Sequence, residues 1–431
     1  MNTDWFLNLP PALLLVILAG IARIQQRSWF APGAFFSLVW AFFVLTPLIF
    51  APDFIVKPLT IWGILVCTGS VYLGSIFGMA AGVKRSHIFG LGRIEIKYLP
   101  ALNQLIILGS LLGIGAVLIL LLTTGRSLYT MFSIELLAKT GHELAVARYH
   151  EGYTPPLSVR MLMIGTYLAA LLSGLLLATK PVGIKRWISY IPLLPALGFA
   201  SLLTTRSTVL YTLVLWLGAY FATRVVLNNG NDRLFTYSQF MRGGGILLVV
   251  LLMFILLQMS RAGFNNLDGM LLLLSRLRIW FFGHLAGFSA WLEQEGLVQD
   301  SLSLGEFTFA GIFDILGISN RNSGIFQDFV YISDDYNTNI FTVFRGLIED
   351  YSVVGTLVLL FTLGVLGGLV FQYLRRGELL YLPILSAFYS ITLLSHITSL
   401  LNYNTLLLAW FLFAVYLLFI RIRPPIVKVG G

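Results

Sequence analysis

The sequence predicts an all-helical membrane protein that crosses the bilayer many times. Of its 431 residues, 58% are hydrophobic and only 11% are charged, and the mean hydropathy is +0.87. Apolar stretches of about twenty residues recur along the chain, and this is the helix length that crosses about 30 Å of hydrocarbon. The single cysteine, Cys67, lies inside one such stretch, so no intrachain disulfide can form.

Hydropathy predicts eleven transmembrane helices in one integral membrane domain, residues 1–431. The first span begins near Trp5 after an acidic residue, without the basic segment of a signal peptide, so we expect it to be retained. Two sizeable loops, 124–159 and 261–351, separate some of the spans. The predicted spans are 5–22, 29–50, 58–82, 101–123, 160–179, 187–204, 207–223, 243–260, 352–373, 379–398 and 403–420.

The connections between spans predict the orientation of the chain. Seventeen of the 28 Lys and Arg residues fall in five short alternate connections and the C-terminal tail. Because basic residues accumulate on the cytoplasmic side, we expect the C-terminus inside and the N-terminus outside, with both large loops facing outward. Loop 261–351 holds eleven acidic residues against five arginines, so its net charge of about −6 argues against nucleic-acid binding despite the whole-chain charge of +9.

The stretch YNTNIFTVFRGLIEDYSVVG concentrates polar side chains immediately before a long apolar run. These side chains include Tyr336, Asn339, Thr342, Arg345, Glu349 and Asp350. At 100° per residue the polar positions from 339 onward fall largely on one arc and the aromatic ones on another, which predicts an amphipathic helix over 339–350. Two interpretations stay open: a solvated face with an Arg345–Glu349 pair contributing about 0.2–0.5 kcal/mol, or the polar wall of a binding cavity.

Most basic residues on the predicted outer side are arginines. The guanidinium group binds phosphate bidentately and stays charged when desolvated, so this bias indicates anion recognition near lipid. Arg206 lies between two apolar segments in LLTTRSTVL, where snorkelling toward the interface is the alternative explanation. Arg261, Arg276 and Arg278 cluster at the start of the large loop, and Arg148 lies in the smaller one.

Histidines are the remaining candidates for acid–base chemistry. His284 lies among aromatic residues in RIWFFGHLAGFSAW, and His396 is a weaker candidate; a histidine in aromatic surroundings is usually structural. The chain has no HExxH motif, no closely spaced carboxylate pair typical of metal binding and no cysteine cluster, and it has no Walker-type glycine loop. The sequence therefore predicts neither a metal nor another cofactor.

Three elements together resemble the O-antigen and oligosaccharide repeat-unit polymerases of bacterial envelopes: TRS at 205–207, RIWFFGHLAGFSAW, and NTNIFTVFRGLIEDYSVVG before a span. The resemblance covers most of the chain. It implies a fold like that of lipid-linked (GT-C type) glycosyltransferases in the bacterial cytoplasmic membrane. It also implies transfer of the growing glycan from undecaprenyl pyrophosphate to the non-reducing end of a new lipid-linked repeat unit, without a metal ion.

That chemistry suggests roles for the candidate residues, since fixed arginines stabilise a pyrophosphate leaving group and a base accepts the proton of the attacking hydroxyl. The expected pyrophosphate ligands are Arg206, Arg261, Arg278, Arg276 and Arg345. The candidate bases are Asp350 and Glu349, with His284 in reserve, and the candidate glycan contacts are Asn339, Thr342, Tyr336 and Arg148. The expected partners are the lipid-linked donor and acceptor, membrane lipids and a chain-length regulator.

Two related functions compete with polymerisation. An O-antigen ligase uses the same donor but usually carries a histidine-plus-asparagine motif in the large loop, where this chain has NTN without histidine. A lipid-linked glycan flippase is expected to have short loops on both sides, whereas this chain places about ninety residues in loop 261–351. Both features favour the polymerase.

Overall fold

A computed structural model describes residues 3–84, 101–150, 152–181, 183–228, 267–296, 301–318 and 328–422, with the single residues 230, 245, 252, 255 and 326. The α-helices in these regions are α1 Thr3–Gln26, α2 Pro32–Phe50, α3 Pro58–Lys84, α4 Leu102–Thr123, α5 Ile134–His150, α6 Leu157–Ala178, α7 Ile184–Ile188, α8 Leu193–Leu203, α9 Ser207–Leu227, α10 Leu267–Glu295, α11 Ala310–Leu316, α12 Val343–Arg375, α13 Leu382–Leu394 and α14 Asn404–Ile422. Short 3₁₀ helices cover Leu128–Phe132, Leu379–Tyr381 and Leu400–Asn402, and strands β1 Val330–Tyr331 and β2 Asn337–Thr338 form an antiparallel pair.

The predicted class, a helical protein that crosses a membrane several times, is confirmed. In the described part of the chain, eight helical stretches are long and apolar enough to span: α1, α2, α3, α4, α6, the α7–α8 stretch Arg186–Leu203, α9 and α12. Two further apolar helices, Leu379–Leu394 and Asn404–Phe419, are shorter and coincide with the last two predicted spans. The predicted span 243–260 lies almost entirely outside the described residues.

The chain divides into two compact units. The first consists of Met1–Arg93, Arg224–Arg233 and Leu277–Leu407, and the second of Ile94–Thr223, Leu234–Arg276 and Leu408–Gly431.

Close helix packing in the first unit depends on glycines spaced four residues apart. Gly74 and Gly78 of α3 face Gly364 and Gly368 of α12. A Cβ atom at Gly74 would lie 2.0 Å from the carbonyl oxygen of Phe361, and a Cβ at any of the other three would lie 2.0–2.3 Å from a backbone carbonyl oxygen. Small residues at this spacing let two membrane helices approach until their backbones touch.

Several loops meet at the end of the first unit where α2 ends and α3 begins. The Ile55 N–H of the α2–α3 loop donates to the Ile332 carbonyl beside the β1–β2 hairpin, at 2.8 Å. The Lys57 N–H of the same loop donates to Ser289 Oγ of α10, also at 2.8 Å. At the start of α12, the Val343 N–H donates to the Ser395 carbonyl at 2.8 Å. These bonds hold α10, the hairpin and the start of α12 to the ends of the spans.

The predicted amphipathic helix over 339–350 was wrong at its start. The helix begins at Val343, because β2 pairs with a strand several residues upstream and keeps the chain before Thr342 extended. The helix then breaks at Ser352, whose φ of 61° and ψ of 176° are not helical. This break separates a nine-residue helical segment, 343–351, from the apolar part of α12.

In the second unit, α6 packs closely against α4 and α9. A Cβ atom at Gly109 of α4 would lie 2.5 Å from the Gly165 carbonyl oxygen of α6, and one at Gly174 of α6 would lie 2.2 Å from the Trp216 carbonyl oxygen of α9. Helix α8 ends at Thr204 in the left-handed conformation. This turn leads directly into α9.

Candidate functional site

Arg345 is the buried centre of a polar cluster in the first unit, in which Asp328 is half-exposed. Its Nη1 and Nη2 atoms donate to the two carboxylate oxygens of Asp328, at 2.8 and 3.2 Å, and its Nε donates to Glu349 Oε1 at 2.9 Å. The Arg345 side chain is only 8% exposed and that of Glu349 only 12%. We call these three residues the Arg345 cluster.

Aromatic rings enclose the guanidinium group of Arg345. Its central carbon lies 4.0 Å from the ring centroids of both Phe326 and Phe341, and 5.5 Å from that of Trp291 on α10. A cation beside aromatic rings is attracted by their electron-rich faces, most strongly when water is excluded. The rings therefore stabilise the charge of Arg345 and hold its plane in one orientation.

The second oxygen of Glu349 has a different environment. Glu349 Oε2 is buried and accepts no hydrogen bond from the residues that the structure describes. The cluster also holds two carboxylates against one guanidinium, so the charge of Glu349 is only partly balanced. Of the atoms in the cluster, Oε2 is thus the one best placed to accept a proton.

Asp350 follows Glu349 in sequence, but its carboxylate holds a loop in place. It is fully buried, and its two carboxylate oxygens accept the backbone N–H groups of Phe307 and Thr308, at 3.2 and 2.7 Å. The same loop is held by Asn402, whose Nδ2 donates to the Phe307 carbonyl at 2.7 Å, and by Ser399, whose Oγ donates to the Thr308 carbonyl at 3.0 Å. Both oxygens of Asp350 are therefore engaged in holding this loop.

The burial of the polar arc rules out the solvated-face interpretation of the segment. Thr342, Arg345 and Asp350 are all at most 7% exposed. Thr342 Oγ1, like Glu349 Oε2, is buried without a hydrogen-bond partner in the described residues. Asn339, in contrast, is exposed to solvent because it precedes the helix.

Arg278 and Tyr336 meet around one aromatic ring at the same end of the unit. The Arg278 guanidinium lies 4.9 Å from the ring centroid of Phe54, forms an ion pair with Asp53, and donates through Nε to the Phe50 carbonyl at 3.3 Å. The ring of the half-exposed Tyr336 lies 6.3 Å from that of Phe54. Arg278 remains partly exposed, so it combines a fixed position with access to solvent.

His284 is enclosed in the core. It is 1% exposed, and its Nε2 and Nδ1 atoms lie 3.1 and 3.2 Å from the carbonyl oxygens of Phe43 and Phe281. The ring of His396 lies 5.2 Å from that of His284 and 3.9 Å from that of Phe43. Its ring is enclosed by protein, and a neutral imidazole can donate to only one of these two carbonyls.

The remaining predicted arginines belong to the second unit or lie outside the described residues. Arg206 is half-buried and directly precedes α9, and Arg148 is half-buried on α5. Arg276 is exposed on α10. Arg261 lies outside the described residues, so its predicted role stays a prediction.

Sequence reasoning did not single out several residues of the Arg345 cluster and its surroundings. Asp328 was one of many acidic residues in the large loop, and Phe326, Phe341 and Trp291 were part of an apolar background. No local spacing connects Asp328 or Trp291 to Arg345, since they lie 17 and 54 positions before it.

The described residues contain no group of three His, Cys, Asp or Glu side chains that could hold a metal ion.

Comparison with known proteins adds no relative: no family model, curated protein or solved structure matches the chain. The fold itself defines the class, a helical multi-pass membrane protein.

Proposed function

We propose that this protein is a glycosyltransferase that polymerises oligosaccharide repeat units carried on undecaprenyl pyrophosphate in the bacterial cytoplasmic membrane. The observation that carries the proposal is the cluster around the buried Arg345, at the start of a membrane-crossing helix, in which one oxygen of Glu349 accepts no hydrogen bond from the described residues. The motifs TRS, RIWFFGHLAGFSAW and NTNIFTVFRGLIEDYSVVG support it through their resemblance to repeat-unit polymerases.

The reaction joins two lipid-linked glycans. A hydroxyl of the acceptor sugar attacks the anomeric carbon of the donor glycan, and a new carbon–oxygen bond forms there. The bond from that carbon to the donor pyrophosphate breaks, and its electron pair leaves with the lipid pyrophosphate. The hydroxyl proton moves to Glu349 and then to solvent.

Glu349 is the base that the geometry favours among the three candidates. Asp350 uses both oxygens to accept backbone N–H groups, and His284 is buried between two carbonyls. A positioned general base contributes about 10²- to 10⁴-fold to the rate. We therefore assign proton acceptance to Glu349 and a structural role to Asp350.

Arginines would stabilise the charge that develops on the leaving pyrophosphate. Arg278 is the candidate in the first unit, because it is partly exposed and anchored by Asp53. Arg206, Arg261 and Arg276 are the candidates elsewhere in the chain. Removing one such preorganised group typically costs about 2.7–4 kcal/mol of transition-state stabilisation.

The test is an assay with purified protein in lipid nanodiscs and lipid-linked repeat units isolated from a strain that lacks this chain. We expect a ladder of lipid-linked products longer than one repeat unit, which Glu349→Gln should form about 10²- to 10⁴-fold more slowly. Transfer of one glycan to a lipid A-core acceptor without a ladder would identify a ligase and overturn the proposal. Movement of the lipid-linked unit across a vesicle without a new glycosidic bond would identify a flippase, with the same consequence.

A further inference from the structure

The hydrogen-bonding capacity of Arg345 is largely used within the protein. A guanidinium group has five N–H donors in a planar fork. The edge formed by Nη1 and Nη2, which would grip a phosphate in bidentate fashion, already holds both oxygens of Asp328, and Nε holds Glu349. Phe326 and Phe341 cover the guanidinium group at 4.0 Å.

A pyrophosphate could bind Arg345 only by displacing Asp328 and entering a space that rings enclose. The side chain is 8% exposed, whereas Arg278 is about one-third exposed. Arg345 therefore lacks the free edge that an anion ligand needs.

What Arg345 does hold is one oxygen of a carboxylate. Its Nε fixes Glu349 Oε1, while Glu349 Oε2 has no hydrogen-bond partner among the described residues. A carboxylate held through one oxygen keeps a fixed direction for the other. Asp328 in turn holds the opposite edge of the guanidinium group. Asp328 thus fixes the position of Arg345, and Arg345 fixes the orientation of the Glu349 carboxylate.

We infer that Arg345 is a positioning residue that aims the free oxygen of Glu349 at the acceptor hydroxyl, and that Asp328 fixes Arg345 in that role. This inference rests on the proposed function. In the step concerned, the O–H bond of the acceptor sugar breaks as an O–H bond to Glu349 Oε2 forms, and the electron pair left on the sugar oxygen makes the new glycosidic bond. Arg345 itself exchanges no proton.

Steady-state kinetics separate this role from an anion ligand and from a purely structural ion pair. Loss of an arginine that binds only the ground-state donor raises KM, and loss of one that stabilises the leaving pyrophosphate lowers kcat independently of Glu349. Loss of a positioning contact lowers kcat only through Glu349, so its effect disappears in the Glu349→Gln background. A purely structural ion pair changes the amount of folded protein and leaves the kcat of each folded molecule unchanged. The variant Arg345→Lys replaces the planar fork by a single point charge and is suited to this test.

The experiment measures kcat and KM for the lipid-linked donor in protein that elutes as a single folded species. We expect Arg345→Lys to lower kcat by about tenfold or more with KM within about twofold of wild type. In the Glu349→Gln background, Arg345→Lys should have no further effect on kcat, because residues that act as one unit are not additive. Asp334→Asn, which changes an exposed carboxylate in the hairpin loop, is the matched control and should leave both constants unchanged.

A raised KM with unchanged kcat in Arg345→Lys, or multiplicative effects in the double variant, would overturn the inference. If Arg345→Lys does not fold, Asp328→Asn decides instead. It should lower kcat several-fold at constant KM and have no effect in the Glu349→Gln background, and a wild-type kcat would contradict the inference. Absence of polymer from the wild-type protein would refute the proposed function itself and is a distinct result.

Discussion

Replacing Asp350 with asparagine should loosen the loop that covers the start of α12. In the native protein the Asp350 carboxylate is fully buried and accepts N–H groups from both Phe307 and Thr308. Asparagine keeps one acceptor oxygen but turns an NH₂ donor toward the other N–H group. One hydrogen bond is lost and two donors then face each other in a fully buried site.

The size of the effect follows from the charge of the acceptor. A hydrogen bond to a charged group contributes about 1.5–3 kcal/mol. Losing one should lower the free energy of opening this loop by that amount, because the bonds from Asn402 and Ser399 remain. Each 1.4 kcal/mol is about a tenfold change in an opening equilibrium, so amide exchange in the loop should accelerate about ten- to hundredfold.

Hydrogen–deuterium exchange of the nanodisc-embedded protein measures this directly in peptides that contain Phe307 and Thr308. Glu349→Gln is the matched control, because its Oε2 atom makes no hydrogen bond in the described residues and the change lies one position away. Exchange in this loop should stay at the wild-type rate in Glu349→Gln, although its polymerisation rate falls. An unchanged rate in Asp350→Asn, or an equal acceleration in both variants, would refute the reasoning.

Two further predictions concern packing and orientation. Gly74→Ala should lower the thermal unfolding midpoint in detergent, because its Cβ would lie 2.0 Å from a carbonyl oxygen of α12 and overpacking costs about 1–3 kcal/mol. Gly69→Ala on the same helix is the control, since nothing lies within 4 Å of its Cβ. Equal midpoints for the two variants would contradict the close packing of α3 against α12. A membrane-impermeant thiol reagent should label Asp335→Cys in spheroplasts and Arg186→Cys only after lysis. Both positions are exposed, and the native Cys67 is buried. The reverse labelling pattern would invert the predicted orientation.

The start of α12 shows where local periodicity stops being sufficient. From Val343 onward the chain is helical, so the helical projection applies there. At residues 339–342 the same projection was misleading, because the chain stays non-helical after Asn337 and Thr338 pair with β1. That pairing depends on residues several positions upstream, which a helical projection does not include.

In the candidate site, too, the sequence predicted local neighbours but not contacts with distant residues. The sequence placed Arg345, Glu349 and Asp350 together, because neighbours on one helical segment stay neighbours in any fold. It could not distinguish their roles, since these depend on residues 17 to 54 positions away. Asp328 occupies the fork of Arg345, and the Phe307 loop occupies both oxygens of Asp350.

The sequence by itself determined that the chain is a helical membrane protein and where most of its spans lie. Hydropathy and span length are properties of contiguous residues, so they survive any arrangement of the helices. Only the tertiary structure decided which polar groups are already satisfied and which remain free. Burial and hydrogen bonding depend on what distant segments bring to each side chain. This separates the engaged carboxylate of Asp350 from the Glu349 oxygen that has no hydrogen-bond partner among the described residues.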